Sequence, residues 1–344
     1  MNDTDIMIEA MTRTEARRKE RRAFLGQSTA MLAAAGGASL LAGCGSGNNN
    51  GGGDGVIVNP TPPPGTATPF PPPNIGLNDA DILNFALQLE YLEAQFYSFA
   101  ASGAGLPNNL LTGSGTQGGV SGGRQVNFTD TLVAQYAREI AADERAHVAF
   151  LRGALAGSVV AQPTIDIGVT PTSAFSNAAR AAGLIGPGQA FDVYANDENF
   201  LLGAFIFEDV GVTAYKGAAP LISSRTLVEA SAGILAAEAY HAGLIRTVLF
   251  ARGIQTPATI QATEAISNAR DSLDGASDID QGVATRTGPF GTETNVVPVN
   301  ANGIVFSRTF EQVLNIVFLT RQAAVMGGFF PSGLNGRIQT SGAN

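Results

Sequence analysis

Two stretches of this chain match each other: residues 140–155 read IAADERAHVAFLRGAL and residues 234–249 read ILAAEAYHAGLIRTVL. Each carries a glutamate three residues before a histidine, and the sequence has no other histidines. The matched positions are Ile140, Ala142, Glu144, His147, Arg152 and Leu155 in the first stretch and Ile234, Ala236, Glu238, His241, Arg246 and Leu249 in the second. Residues i and i+3 of a helix share a face, so the carboxylate and the imidazole reach a common point. The repeat therefore predicts two related helices that present equivalent side chains to one core.

A second repeat lies upstream of each of these stretches. Glu90 precedes Tyr97 by seven residues in EYLEAQFYSFA, and Glu208 precedes Tyr215 by seven in EDVGVTAYKGA. The chain is thus predicted to hold two helix pairs, each with one glutamate on its first helix and one Glu-x-x-His on its second. Four carboxylates and two imidazoles are the donors that a pair of divalent first-row metal ions requires.

The periodicity of apolar residues predicts four long helices. They cover residues 79–101, the stretch from the cap Thr129 to Gly157, the stretch opened by Asn196 or Asp197, and residues 225–253. The second connection is about 40 residues long and the third is short, as in a bundle with one long crossover. A strand pattern is visible in VVPVNANGIVF near 296–306, and the rest of the chain indicates an all-α fold.

These features resemble the ferritin-like superfamily, whose bundles hold di-iron or di-manganese centres with this carboxylate and histidine arrangement. Within it, DILNFALQLEYLEAQFY (81–97) and GGFFPSGLNGRI (327–338) are similar to desiccation-related ferritin-like proteins of plants and bacteria. The resemblance covers residues 79–253 and implies a ferritin-like four-helix bundle, with domain bounds of 77–253 and extra C-terminal helices in 254–344. It implies that two iron or manganese ions are bound by Glu90, Glu144, His147, Glu208, Glu238 and His241.

Glu93 is an alternative to Glu90 as a ligand, because it lies on nearly the same helix face. The repeat favours Glu90, since Glu208 aligns with Glu90 whereas Gly211 aligns with Glu93.

Four polar residues are candidates for supporting roles around the ligands. Tyr97 and Tyr215 are candidate hydrogen-bond partners or radical-accessible neighbours of the site; alternatively, they pack in the bundle with their hydroxyls at its end. Asp143 and Asp209 each neighbour a proposed ligand, and ligating histidines commonly donate their second N–H to a carboxylate. Adjacent residues point about 100° apart on a helix, so these aspartates are expected to serve the opposite helix or to face solvent.

Buried carboxylates without partners are costly, which favours metal over an apolar core that simply contains them. The alternative is that these side chains lie on wet helix faces. Hard carboxylate ligands suit iron or manganese, so the first functional hypothesis is catalase-, peroxidase- or ferroxidase-like redox chemistry in envelope stress protection. The second is a non-catalytic desiccation- or stress-related structural protein whose metal site stabilises the fold.

Residues 1–44 have the order of an export signal: a basic stretch, the pair Arg21–Arg22, an uncharged run and LAGC ending at Cys44. The alternative, a transmembrane helix, is disfavoured because the run is short and rich in glycine, alanine and serine. The arginine pair resembles the twin-arginine signal and LAGC resembles a bacterial lipobox, which implies the twin-arginine export machinery and a lipid anchor on Cys44. Residues 45–76 predict a disordered linker. We therefore expect a lipid-anchored protein of the periplasm or cell envelope.

The net charge of −9 and the pI near 4.8 exclude nucleic acid as a partner, because phosphate binding needs clustered positive charge. In the tail, PATIQATEAISNARDSLDG and SRTFEQVLNIVFLTRQAAVMGG predict two helices that pack on the bundle. The alternatives are a separate small domain and, for the last helix, an interface between copies in a homo-oligomer.

Overall fold

The computed structural model describes residues 76–344 of the chain. The predicted export signal, with Arg21, Arg22 and Cys44, and linker residues 45–75 lie outside the described residues. Within that range the chain forms seven α-helices: α1 Asp79–Ser102, α2 Thr131–Leu155, α3 Ala174–Ala181, α4 Asp197–Ala218, α5 Arg225–Gln255, α6 Pro257–Asp274 and α7 Phe310–Phe318. The predicted all-α class is confirmed.

Four short strands accompany these helices. β1 Val120–Gly122 pairs in parallel with β2 Ile165–Ile167, and β3 Arg286–Gly288 pairs with β4 Gly291–Glu293 in an antiparallel hairpin. The strand-like pattern near 296–306 forms no strand, so that interpretation is wrong. A turn interrupts it: the Asn300 N–H donates to the Ile304 carbonyl at 2.9 Å, and Gly303 takes the left-handed conformation (φ 70°) that glycine tolerates.

Polar caps explain where the four long helices begin. The Asn78 side chain accepts a hydrogen bond from the Asp81 N–H, and the Asp81 carboxylate accepts one from the Asn78 N–H. The two residues form a capping box at the start of α1. Asn196 and Ser224 cap α4 and α5. At α2 the predicted cap, Thr129, is wrong. The cap is the next residue, Asp130, whose carboxylate accepts hydrogen bonds from the backbone N–H groups of Leu132 and Val133.

The bundle has two inner and two outer long helices. α1 and α4 are buried on nearly every side, as expected of helices that are apolar all round. α2 buries a single stripe, which includes Val133, Ile140 and Leu151, and leaves the opposite face exposed. α1 packs mainly on α2 and α4 mainly on α5, so the two predicted helix pairs exist as pairs.

The C-terminal segment covers the inner helices. Phe310 at the start of α7 packs edge-on against Phe85 of α1, with ring centroids 4.9 Å apart. Phe329 packs on Phe207 of α4 at 4.9 Å. α7 is therefore buried inside the molecule rather than presented as a free interface, and it ends at Phe318, well before the expected end near residue 328. There Leu319 takes a left-handed conformation (φ 55°) that stops the helix.

A buried ionic network fastens this segment to the bundle. Arg308 donates to Asp274 from Nε and to Asp280 from Nη2, both at 2.7 Å, and Arg270 joins Asp280 to Asp209 of α4. All of these side chains are nearly inaccessible to solvent. Pairing every buried charge avoids the large cost of an isolated one.

Among the described residues, α5 is long and apolar enough by length and composition to cross a membrane. Its buried face carries Glu238, His241 and Arg246, which point into the fold. Because this face lies in the interior of the bundle, its polar groups contact other residues of the fold there.

Candidate metal centre

The six residues of the implied ligand set converge in the middle of the bundle. Each helix pair supplies the same pattern: one glutamate from an inner helix, and a glutamate with a histidine from an outer helix. The inner residues are Glu90 on α1 and Glu208 on α4; the outer ones are Glu144 and His147 on α2 and Glu238 and His241 on α5. Five of them are at most 3% exposed, and the His147 side chain is 12% exposed.

The side chains form two groups, each able to hold one ion. Within each group the potential ligand atoms lie within 4.8 Å of one another. One group is Glu90, Glu144, His147 and Glu238, and the other is Glu144, Glu208 and His241. Glu144 belongs to both, so its two carboxylate oxygens are placed to bridge a pair of ions.

Short distances link the imidazoles to these carboxylates. His147 Nδ1 lies 3.2 Å from Glu90 Oε2 and 3.5 Å from both Glu144 Oε2 and Glu238 Oε1. His241 Nδ1 lies 3.0 Å from Glu144 Oε1 and 3.6 Å from Glu208 Oε2. None of these contacts has hydrogen-bond geometry.

Eight buried polar atoms of the cluster consequently lack a hydrogen-bond partner. They are Glu90 Oε2, Glu144 Oε1 and Oε2, His147 Nδ1, Glu208 Oε2, Glu238 Oε1 and Oε2, and His241 Nδ1. Buried polar groups are nearly always paired, so such a concentration needs an explanation. Carboxylate oxygen and imidazole nitrogen are ligands that iron and manganese accept, and the residues present therefore fit a metal centre.

Two tyrosines fix the outer oxygens of the inner glutamates. Tyr97 of α1 donates its hydroxyl proton to Glu208 Oε1 of α4, and Tyr215 of α4 donates to Glu90 Oε1 of α1. Each bond crosses from one helix pair to the other and leaves Oε2 facing the cluster. Of the roles weighed from the sequence, the structure places both tyrosines as hydrogen-bond partners of the cluster, not at the end of the bundle.

The two imidazoles differ in what holds their second nitrogen. His241 Nε2 lies 3.3 Å from Asp143 Oδ2 on the opposite outer helix, an arrangement that orients ligating imidazoles. The repeat aligns Asp143 with Ala237, which has no carboxylate to offer His147. Asp209 pairs instead with Arg246 at 2.7 Å. Sequence reasoning did not identify this buried ion pair between Asp209 and Arg246. The one available signal was the repeat, which aligned Arg246 with Arg152.

Glu93 lies beside the cluster but outside both groups of potential ligands. It is 6% exposed, and a Cβ atom added at Gly211 would lie 3.5 Å from its Oε1 and 2.3 Å from Glu238 Oε2. Gly211 thus gives the Glu238 carboxylate its space. Glu90, not Glu93, joins the cluster in the structure.

Burial raises the pKa of four carboxyl groups in the metal-free site. The pKa of Glu90 rises to about 7 and that of Glu208 to about 8, with repulsion from Glu144 adding to burial in both. The pKa values of Glu93 and Glu238 lie well above the usual range, again through burial first and neighbouring carboxylates second. Burial thus favours the protonated form of each of these groups, and a bound metal ion would displace the protons.

Glu144 and the imidazoles carry the charges of the metal-free site. Burial alone would raise the pKa of Glu144, but the adjacent imidazoles outweigh it and bring that pKa to about 2. Burial would lower the imidazole pKa values, yet the Glu90 carboxylate raises that of His147 to about 11 and Glu208 raises that of His241 to about 10. Metal must therefore compete with protons on both imidazoles.

Comparison with known proteins agrees with this geometry. The family model described as "Ferritin-like domain" matches residues 78–251, which contain all six residues of the cluster. The chain is 29% identical over 275 residues to the desiccation-related protein PCC13-62 of Craterostigma plantagineum, covering 77% of this chain and 85% of that protein. It is 28% identical over 271 residues to the ferritin-like catalase Nec2 of Nesocodon mauritianus, covering 76% and 84%.

No significant match was found among solved structures. The family match extends over half of the chain, and it spans the two helix pairs that build the candidate metal centre. This chain belongs to the ferritin-like domain family.

Proposed function

We propose that this protein is a di-metal catalase, which binds two iron or two manganese ions and converts hydrogen peroxide into dioxygen and water. The observation that carries the proposal is the set of eight unpartnered ligand atoms buried between α1, α2, α4 and α5. The relative named a ferritin-like catalase supports this reaction over peroxidase or ferroxidase activity.

Two ions in this site would supply redox chemistry, since the pair can take two electrons from one peroxide and return them to another. The residues of the chain position the ligand atoms. Glu144 offers one oxygen to each group, while Tyr97 and Tyr215 hold the inner glutamates so that only Oε2 faces the cluster. Because these bonds are made before any ligand arrives, the site is preorganised and little rearrangement is needed.

The surroundings of the cluster protect the reaction. Val148 and Ile245, one helical turn after Glu144 and His241, are fully buried, so bulk water is kept out and the electrostatic interactions inside are strong. The reaction balances without an outside reductant: two hydrogen peroxide molecules yield one dioxygen and two waters. The protons released from one peroxide are consumed by the other, and the buried carboxyl groups provide places to hold them.

Oxygen evolution tests the activity directly. The chain is loaded with manganese or iron, and dioxygen release from hydrogen peroxide is followed with an oxygen electrode. We expect release that is lost in Glu144→Ala and retained in Glu139→Ala, a matched change at an exposed position of the same helix. Equal release by both variants, or none by the loaded wild-type chain, would contradict a catalase.

The second candidate is a non-catalytic, desiccation-related protein whose metal only stabilises the fold. The similarity to PCC13-62 over most of both chains favours it. It predicts that metal raises the unfolding temperature while peroxide is left unconsumed, because an ion bound to the folded state alone stabilises that state by mass action.

We also propose that the protein is exported and anchored to the cell envelope through Cys44. Support comes from the sequence order around Arg21, Arg22 and Cys44. Cell fractionation tests it: Cys44→Ala should move the protein from the membrane fraction to the soluble one, and Arg21→Lys/Arg22→Lys should hold it inside the cell. An unchanged distribution in both variants would contradict export by this route.

A further inference from the structure

A small cavity lies beside the metal cluster, between α1, α4 and α7. It measures about 20 Å³, counted at the centre of a water-sized molecule, which exceeds the roughly 10–15 Å³ that one such molecule needs. Apart from Glu93 and Gly211, every residue that lines it has an apolar side chain, among them Leu92, Val210 and Val317. The cavity is thus large enough for one very small molecule.

Glu93 and Gly211 form the boundary between this cavity and the cluster. A Cβ atom added at Gly211 would lie 2.3 Å from Glu238 Oε2 and 3.5 Å from Glu93 Oε1, so both carboxylates approach the backbone there. Any larger residue at position 211 would collide with the Glu238 carboxylate. Since Gly211 aligns with Glu93 in the repeat, the two halves of the bundle differ here: one carries a glycine and the other a carboxylate at the equivalent position.

The walls of the cavity select an apolar occupant. A water or a hydrogen peroxide molecule would have to give up most of its hydrogen bonds to enter, because Glu93 is the one polar side chain available. Among the described residues, no hydrogen bond reaches the Glu93 carboxyl from another side chain or the backbone. Walls that are mostly apolar favour apolar occupants, as the uptake of benzene or xenon by apolar protein cavities shows.

We propose that this cavity is a binding site for dioxygen. Dioxygen is small, uncharged and apolar, so it matches both the volume and the walls. The inference deepens the proposed function, on which its biological meaning rests: dioxygen formed at the cluster has an apolar site next to it, lined by the same Gly211 that the Glu238 carboxylate approaches. The binding itself is a property of the metal-free fold.

Nuclear magnetic resonance of the metal-free whole chain under dioxygen pressure tests the site, because dioxygen is paramagnetic and speeds the relaxation of nearby methyl groups. We expect the methyl groups of Leu92, Val210 and Val317 to relax several-fold faster under dioxygen. Val133 and Leu151 are matched controls, since both are fully buried on α2 and neither lines the cavity. Equal enhancement at the two sets of methyl groups would overturn the proposal.

A cavity-filling variant completes the test. Val317→Phe should abolish the extra relaxation at Leu92 and Val210, and Leu92→Phe fills the cavity from the opposite wall if the first variant does not fold. Enhancement that persists in a folded, filled variant would also overturn the proposal. Its failure is separable from that of the proposed function: enhancement without oxygen evolution would refute the catalase alone, and oxygen evolution without enhancement would refute the cavity site alone.

Discussion

At the scale of single residues, Tyr97 and Tyr215 show how the two helix pairs depend on each other. Each tyrosine is buried and bonds to a glutamate of the other pair. Tyr97→Phe or Tyr215→Phe leaves a buried carboxyl oxygen without a partner, which costs about 1–3 kcal/mol. We expect the free energy of unfolding of the metal-free chain to fall by that amount, measured by urea denaturation.

The matched control for these changes is Tyr240→Phe, because Tyr240 is 75% exposed and its hydroxyl is free to meet water. This variant should unfold like the wild type. If both buried variants also matched the wild type, the two hydrogen bonds would contribute nothing and the description of a preorganised site would be wrong.

The sequence allowed the ligand candidates to be chosen, but not their partners. The repeat paired Glu90 with Glu208 and set Glu93 against Gly211, and the structure brings Glu90 into the cluster. Which side chain reaches which helix depends on the rotation and separation of helices across the core, which periodicity alone does not define. The contact of Asp143 with His241 was therefore one open alternative among several, and the pairing of Asp209 with arginine was not foreseen.

At the scale of elements, local signals predicted the four long helices and α6 well, and the end of α7 poorly. The long helices have many apolar positions over several turns and polar residues at their N-termini, so errors are confined to a residue or two at their ends. The last helix is short because the Asn315 side chain donates to the Thr320 and Gly342 carbonyls, which draws the following chain away from the helix axis. Such a tertiary contact leaves no periodic signal in the sequence.

The attachment of the tail to the bundle depends on Arg308. This arginine is 2% exposed and donates to two buried aspartates. Arg308→Met leaves Asp274 without its cation and removes one of the two arginines that Asp280 contacts. Breaking a buried pair in this way costs about 3–5 kcal/mol. Thermal or urea unfolding should show that loss, with a small loss of about 0–1 kcal/mol for Arg286→Met, whose pairing with Glu293 is solvent-accessible. Equal losses in the two variants would contradict the network's role.

At the scale of the whole molecule, the protons of the site make stability depend on pH. Glu90 and Glu208 have pKa values of about 7 and 8 in the metal-free fold, against about 4.5 for a free glutamate. Those of His147 and His241 are about 11 and 10, against 6.5. Between about pH 4.5 and 10 the folded chain therefore binds more protons than the unfolded one, so its stability falls as pH rises.

We expect the free energy of unfolding of the metal-free chain to decrease from pH 5 to pH 9, measured by urea denaturation across that range. Glu144 affects stability in the opposite direction, because folding lowers its pKa to about 2. Its stabilising contribution is complete above about pH 4.5 and therefore does not change the trend. Bound metal replaces the protons, so the loaded chain should show a flatter or reversed dependence. Rising stability of the metal-free chain over this range would contradict the described electrostatics.

The central claim is that the buried cluster binds metal, and elemental analysis tests it most directly. The chain and its Glu238→Ala/His241→Ala variant are purified without chelator, and retained helicity is checked by circular dichroism. The account predicts about two iron or manganese ions per chain in the wild type and a loss of metal in the variant, because both groups lose a ligand. Background metal in both proteins, with equal stability, would contradict it.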